Sequence, residues 1–267
     1  MASNPAGEMP FLDHLEELRW RIIWSLVAII VGLVIGFYLV TKFDVLLFLQ
    51  QPITPYLQGQ GDKLRYTHPA DTFSITLSMA LAVGALVASP VILYQVWAFL
   101  SPALHKHERR VVIPVIVFAF VLFLAGVALA WFFVIPLCLK FLMNFQSASL
   151  EPMIMVKDYF SMVTILTLAF GASFELPVLV LALAAMGLVT PAMLGKARVY
   201  ALITTFLLSA LITPGDMVVA ALALTAPLYL LYELSIVLTS VIYRRKRKAA
   251  EADQAAADAA PAPRGLM

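Results

Sequence analysis

The sequence predicts an all-α membrane protein: six transmembrane helices in a curved, concave bundle, led by an N-terminal amphipathic interfacial helix. Three observations predict this. First, the 267 residues are 62% hydrophobic and 13% charged, with a mean hydropathy of +0.93. Soluble domains run near 45–50% apolar and about 25% charged, and a bilayer is the solvent that absorbs such an excess. Second, the apolar residues gather into six segments separated by polar or Pro-rich pieces. Third, Pro90, Pro114, Pro136, Pro177 and Pro227 fall inside those segments. A proline removes a backbone donor and kinks its helix, which membrane helices tolerate when neighbours satisfy the freed carbonyl.

The elements follow in order. Residues 1–19 are an N-terminal segment in which Phe11, Leu15, Leu18 and Ile22 form an apolar stripe at helical spacing. Asp13, Glu17 and Arg21 lie opposite it, with Glu17–Arg21 an i,i+4 pair. Such a helix lies at the membrane surface and leads into the first span. Residues 1–10 lack the basic region of a cleavable signal peptide, so the first apolar run is expected to remain as a span. The spans are expected at Trp20–Thr41, Thr72–Ala98, Val111–Leu139, Tyr159–Leu188, Arg198–Leu211 and Met217–Ile242, within a transmembrane domain of residues 20–243.

The fifth segment has 14 residues, about 21 Å of helix at ~1.5 Å per residue, against a hydrocarbon core of about 30 Å. The turn Thr213-Pro-Gly-Asp216 joins it to the sixth. Helices five and six therefore read as a short, tight hairpin. Local thinning of the bilayer and packing against a neighbour both account for it. The tail, residues 244–267, is basic, Ala-rich and Pro-containing, and is expected to be disordered. No internal repeat is evident.

Lysine and arginine set the orientation. With both termini on one side, that side carries thirteen basic residues, among them Arg19, Lys106, Arg109, Arg110 and the run Arg244–Lys248. The other side carries five: Lys42, Lys63, Arg65, Lys140 and Lys157. The bias puts both termini in the cytoplasm, with the basic tail at an anionic leaflet.

Glu175 is the most informative single residue. It sits in the long apolar run Tyr159–Gly187, two residues before Pro177 and after the small residues Gly171, Ala172 and Ser173. A charge there costs about 2.5–3.5 kcal/mol on insertion scales and points to a role. A proton relay, a polar contact to a partner helix and a carboxyl satisfied inside the bundle all fit it. Glu233 is a second acid in an apolar run, and Gln95 a polar group near the end of the second span. Asp13, Glu16 and Glu17 fit either a solvated anchor face or a receptor for a cationic ligand. Glu108, beside Arg109 and Arg110, fits a local surface pair.

Several classes are excluded. His105 and His107 have no third ligand nearby, so no metal is expected. The single Cys138 rules out an internal disulfide and reads as a small buried apolar residue. No P-loop, GxSxG, HExxH or CxxC occurs. The chain is therefore not expected to be an enzyme, to hold a cofactor or to bind nucleic acid.

Three motifs together resemble the TatC family, the core subunit of the twin-arginine protein translocase. They are His14-Leu-Glu-Glu17-Leu-Arg19-Trp-Arg21, the stretch Ser89-Pro-Val-Ile-Leu-Tyr-Gln-Val-Trp-Ala-Phe99-Leu-Ser-Pro-Ala-Leu with Lys106-His-Glu108-Arg-Arg, and Phe170-Gly-Ala-Ser-Phe-Glu175-Leu-Pro177. The resemblance runs from about residue 10 to 243. It implies export of folded proteins across the cytoplasmic membrane of a prokaryote under the proton-motive force. It also implies a receptor for signal peptides bearing consecutive arginines, several copies per complex, and single-span partners of the TatA and TatB type. By position, Glu17 and Glu108 are then the acids that receive the arginines, supported by Arg19, Phe99, Lys106 and Pro52. Glu175 meets polar groups of a partner span, helices five and six form a docking edge, and Asp216 marks their outer turn. A guanidinium pairs bidentately with a carboxylate and lysine does not, which fits the arginine requirement.

The competing reading is a proton-coupled transporter of a small solute, with Glu175 as the coupling carboxylate. Such transporters often show paired repeats and broken helices in corresponding positions, and neither is evident in the sequence.

Overall fold

The computed structural model describes residues 11–57, 64–100, 112–144, 153–212 and 218–259. Among them the chain is helical, and the single β-bridge pairs Arg65 with Met155. The first helix, α1, runs unbroken from Phe11 to Lys42. The amphipathic segment and the first span are thus one rod about 48 Å long, not two elements. Asp44, with φ 48°, turns the chain into the short helix α2, Val45–Gln50. A single 3-10 turn at Thr54–Tyr56 follows, and the flanking Ile53 and Leu57 are buried.

The second span is α3, Asp71–Leu100. Asp71 pins its start: Oδ2 accepts from the backbone N–H of Thr67 (3.1 Å) and His68 (2.9 Å) and from the Thr67 hydroxyl (3.0 Å). Pro90 stands inside α3 without breaking it. The carbonyl it would have engaged four residues earlier is that of Leu86, and the Ser89 hydroxyl donates to that oxygen at 2.7 Å.

The third span joins α4 (Val112–Leu129) to α5 (Ile135–Asn144) through a π turn at Ala130–Val134. There the Ile135 N–H reaches back five residues to the Ala130 carbonyl. Pro136 follows directly, and a widened turn gives its ring room. The fourth span is broken. Helix α6, Val156–Ser173, stops at Phe174 and Glu175, and α7, Leu176–Ala185, starts with Pro177 in its first turn. Helix α7 ends in a Schellman cap: Gly187 has φ +78°, and the Leu188 N–H donates to the Leu183 carbonyl at 3.0 Å.

Three helices complete the chain: α8 (Pro191–Lys196), α9 (Arg198–Ile212) and α10 (Val218–Ala259). Five helical stretches are long and apolar enough to cross a membrane: 15–42, 71–99, 113–144, 156–185 and 224–244. The fifth of the six expected segments is α9, with 15 residues. It is short as predicted. The sixth lies in α10, whose apolar stretch 224–244 has 21 residues, fewer than the other four membrane-length stretches, although the helix itself runs on to Ala259. The tail expectation also needs correcting. Residues 244–259 continue α10 as helix because their alanines, lysines and glutamates are strong helix formers, and Arg247 Nε pairs with Glu251 one turn on, at 3.1 Å. Residues 260–267 lie outside the described residues.

One buried cluster ties the ends of the spans together. Val40, Ile53 and Leu57 pack with Met79 of α3, Ile135 and Leu139 of α5, Phe160 and Leu166 of α6, and Leu224 and Leu228 of α10. The Tyr159 hydroxyl donates across it to the Leu49 carbonyl. A smaller cluster, with Leu93, Trp97, Ala119, Val178 and Ala182, joins α3, α4 and α7 farther along the bundle. Helix α1 packs almost wholly on α3. Gly32 and Gly36 of α1 lie against the backbone of Ala80 and Gly84 on α3, with Ala88 beside Gly32. This small-residue seam brings two membrane helices into backbone contact, where close packing replaces the hydrophobic effect that lipid does not provide.

Candidate functional site

Glu17 and Arg21 of α1 turn toward α3. Arg21 Nη2 donates to Glu17 Oε1 at 3.0 Å, and Arg21 Nη1 to Gln95 Oε1 of α3 at 3.1 Å. The side chains of Arg21 and Glu17 are only 29% and 19% exposed. Of the apolar stripe, Leu15 and Ile22 are about half exposed, at 45% and 50%, and Leu18 is half-buried. Acid and guanidinium thus pack on protein, and the apolar stripe is shared between the α3 side, where Leu18 and Ile22 border a cavity, and the outside, where Leu15 lies. The reason is the seam below. With α1 fixed to α3 at Gly32 and Gly36, the helical period brings Glu17 and Arg21 round to the α3 side.

Beside this pair lies a cavity of about 210 Å³, with Leu18 and Ile22 of α1 and Gln95, Val96 and Phe99 of α3 among its walls. Glu17 Oε2 is buried and accepts no hydrogen bond. The site therefore offers a carboxylate with one spare oxygen next to an apolar hollow. That suits a ligand with a cationic, planar donor group and an apolar neighbour.

A second cavity, of about 380 Å³, lies between α3, α4, α6 and α7. Its lining includes Ser89, Trp97, Phe123, Ala172, Glu175 and Val178. Glu175 stands in the break between α6 and α7. Its backbone N–H donates to Ala172 O at 3.1 Å, and its carbonyl accepts from the N–H groups of Val178 and Leu179, each at 3.0 Å. Its side-chain Oε1 is buried and without a partner. Two glycines bring α4 close to the break. A Cβ on Gly126 would meet the Phe170 carbonyl and the Phe174 ring, and one on Gly171 would meet Phe123. The cavity is thus a lipid-depth hollow, rimmed by the exposed Val96 and Leu179 and floored by one unpaired carboxyl oxygen. Val96 lines both cavities.

The predicted residues divide accordingly. Glu17, Gln95 and Phe99 come together, and Gln95 stands with the Glu17–Arg21 pair and not in the Glu175 cavity. Arg19 is exposed and lies two positions from Glu17, about 200° round the helix, so it is not part of that cluster. Pro52 is a correction. It follows α2, beyond the far end of α1 from Glu17, near the buried Ile53 and Leu57. Some 25 residues of helix separate residue 17 from Lys42, roughly 38 Å, so Pro52 does not join the Glu17 site. Lys106, Glu108 and Asp216 lie outside the described residues.

Glu233 is paired within the chain. Arg198 grips it with Nε on Oε1 and Nη2 on Oε2, both at 2.8 Å, and the Tyr229 hydroxyl donates to Oε1 at 3.0 Å. The Tyr232 hydroxyl donates to Leu194 O at 2.7 Å. These bonds fix α8 and the start of α9 to α10. Sequence reasoning missed Arg21 as Gln95's partner and Ser89 as a wall of the Glu175 cavity. Spacing gave the Glu17–Arg21 pair, but nothing local signals a bond across 74 residues.

Comparison with known proteins adds relatives to this geometry. A family described as "TatC: Sec-independent protein translocase protein (TatC)" matches residues 13–249. The Sec-independent protein translocase protein TatC of Aquifex aeolicus is 39% identical over 243 residues, covering 90% of this chain and 98% of the relative. TatC of Escherichia coli K12 is 37% identical over 227 residues, covering 85% and 86%. A crystal structure of a twin-arginine translocase receptor, TatC, superposes with a TM-score of 0.75 at 38% identity, covering 85% of this chain and 98% of that one.

Proposed function

Since this chain belongs to the TatC family of Sec-independent protein translocase proteins, we propose that it is the twin-arginine signal-peptide receptor and scaffold subunit of a translocase that exports folded proteins across the inner membrane of a prokaryote. The observation that carries the reading is Glu17: a carboxylate packed on protein, with one oxygen spare, beside an apolar hollow. An arginine of the signal would engage Glu17, and the apolar stretch that follows would enter the hollow beside Leu18 and Phe99. Glu108, supported by Lys106, would take the second arginine.

In this reading both termini are cytoplasmic, and the basic run of α10 rests at the anionic leaflet. The partners are single-span subunits of the TatA and TatB type, assembled with several copies of this chain. The Glu175 cavity would receive a polar group on a partner span, because a buried carboxyl without a bond is stabilised by any donor that reaches it. The proton-motive force supplies the energy. Transport of a small solute through Glu175 draws no support from relatives named as protein translocase subunits.

The test is binding of a synthetic twin-arginine signal peptide to the purified protein, beside the same peptide with both arginines changed to lysine. Arginine-dependent binding that weakens in Glu17→Ala and Glu108→Ala is expected. Equal binding of the two peptides would remove the receptor role.

A further inference from the structure

Glu17 is a half-used carboxylate, and its resident partner is a half-committed guanidinium. Arg21 places one nitrogen on Glu17 Oε1 and the other on Gln95, while Glu17 Oε2 is buried and accepts nothing. A guanidinium facing one carboxylate commonly takes both oxygens as a fork. Arg198 does so on Glu233 in this same chain. Gln95 thus draws Arg21 off the fork and leaves the acid one donor short.

The geometry points to Arg21 as a resident stand-in for the ligand's arginine, and so as a residue that determines specificity. The inference rests on the signal-peptide reading and adds the element that sets its threshold. An incoming arginine offers Glu17 both oxygens' worth of donors, which Arg21, tethered to Gln95, does not. The displaced Arg21 keeps its Gln95 bond, so it gives up one interaction rather than two. A lysine brings a point charge without a fork and gains nothing over the bond it must break. Selection of arginine over lysine then arises from competition at the acid.

The experiment measures equilibrium binding of the twin-arginine and twin-lysine peptides to the full-length protein in lipid nanodiscs. Arg21→Ala is expected to bind the twin-arginine peptide roughly three- to tenfold more tightly, the scale of a partly exposed charged pair, and to discriminate less against twin-lysine. Gln95→Leu is expected to bind more weakly than wild type, because Arg21 then settles on both oxygens of Glu17. The double variant Arg21→Ala/Gln95→Leu is expected to behave as Arg21→Ala. A merely supporting role for Arg21 gives weaker binding in both single variants, and that result overturns the proposal. Arg21→Lys, which keeps the cation, carries the same expectations at smaller size and decides the matter if the alanine variant does not fold. Unchanged or weaker binding in it overturns the proposal too. A wild type indifferent to arginine, or a Glu17→Ala that binds like wild type, sinks the receptor reading itself and this inference with it. Those two controls are separate from the Arg21 series, so the failures are distinguishable.

Discussion

Gly32 of α1 and Gly84 of α3 meet backbone to backbone: a Cβ built on Gly84 would lie 2.6 Å from the Gly32 carbonyl carbon and oxygen. Neither atom is the end of a flexible side chain, so nothing can swing aside. Gly84→Val is therefore expected to push α1 off α3 and to cost at least about 1–3 kcal/mol, the scale of overpacking. The same shift separates Arg21 from Gln95. A lowered thermal midpoint in detergent, accompanied by loss of signal-peptide binding, is the expected result. A variant that melts and binds like wild type would show that the seam yields without consequence.

Glu175 carries a buried oxygen that no group satisfies. Such an atom costs stability, on the order of 1–3 kcal/mol. Glu175→Leu is expected to leave the thermal midpoint unchanged or higher, and Glu175→Gln to change it little. Both are expected to reduce export of a twin-arginine cargo into membrane vesicles, because the group reserved for a partner is gone. Stability kept while function falls is the pattern expected where a site is held against the fold's preference. Full export by Glu175→Leu would show the carboxyl to be dispensable.

The Arg198–Glu233 fork is well aligned, but its side chains are 52% and 30% exposed. Solvent and salt screen such a pair, which limits it to about 1 kcal/mol or less. A double-mutant cycle with Arg198→Ala and Glu233→Ala, read by thermal melting, is expected to return a coupling of that size. A coupling of several kcal/mol would mean that the pair is shielded more fully than its exposure indicates. Because α9 leans mainly on α10, the single variants are expected to loosen α9 before any other span. Faster proteolysis at the α8–α9 corner would report this.

Removal of residues 245–267 is expected to leave the six-span body intact. Past Arg244 the described side chains of α10 are exposed, with Arg247 and Glu251 at 71% and 64%, and these two pair with each other. The thermal midpoint should hold within error, while circular dichroism falls by the helix removed. A large drop in midpoint would mean that the extension packs on the body.

What the sequence disclosed follows from where each signal resides. The spans were legible because apolar runs between polar breaks need only composition, and Glu175 because a charge in such a run stands out by contrast. The face that α1 turns inward was not legible. In water the apolar stripe goes in, but lipid removes that preference and leaves the choice to small-residue packing. Gly32-x-x-x-Gly36 carried that signal. Pro177 did announce the break at Glu175, whereas Pro90 left α3 whole because Ser89 covers the freed carbonyl. The helical extension of α10 ran against a reading based on charge and proline content. A span already formed removes the cost of nucleating the next turns, and good helix formers then propagate it.

The π turn at Ala130–Val134 has a consequence for chain length. A π turn holds one residue more than the α turn it replaces, so in the third span it acts as a single-residue insertion absorbed without a bulging loop. Every side chain after it is rotated by about 100° relative to an uninterrupted helix. That rotation brings Cys138 and Leu139 into the interior cluster. Deleting one residue from 130–134 would restore a regular helix and leave those two facing the cluster, because the deletion removes the residue that the wide turn absorbs. Straightening the turn at full length would instead put the inner and outer faces of the second half of the span out of register with the rest of the bundle.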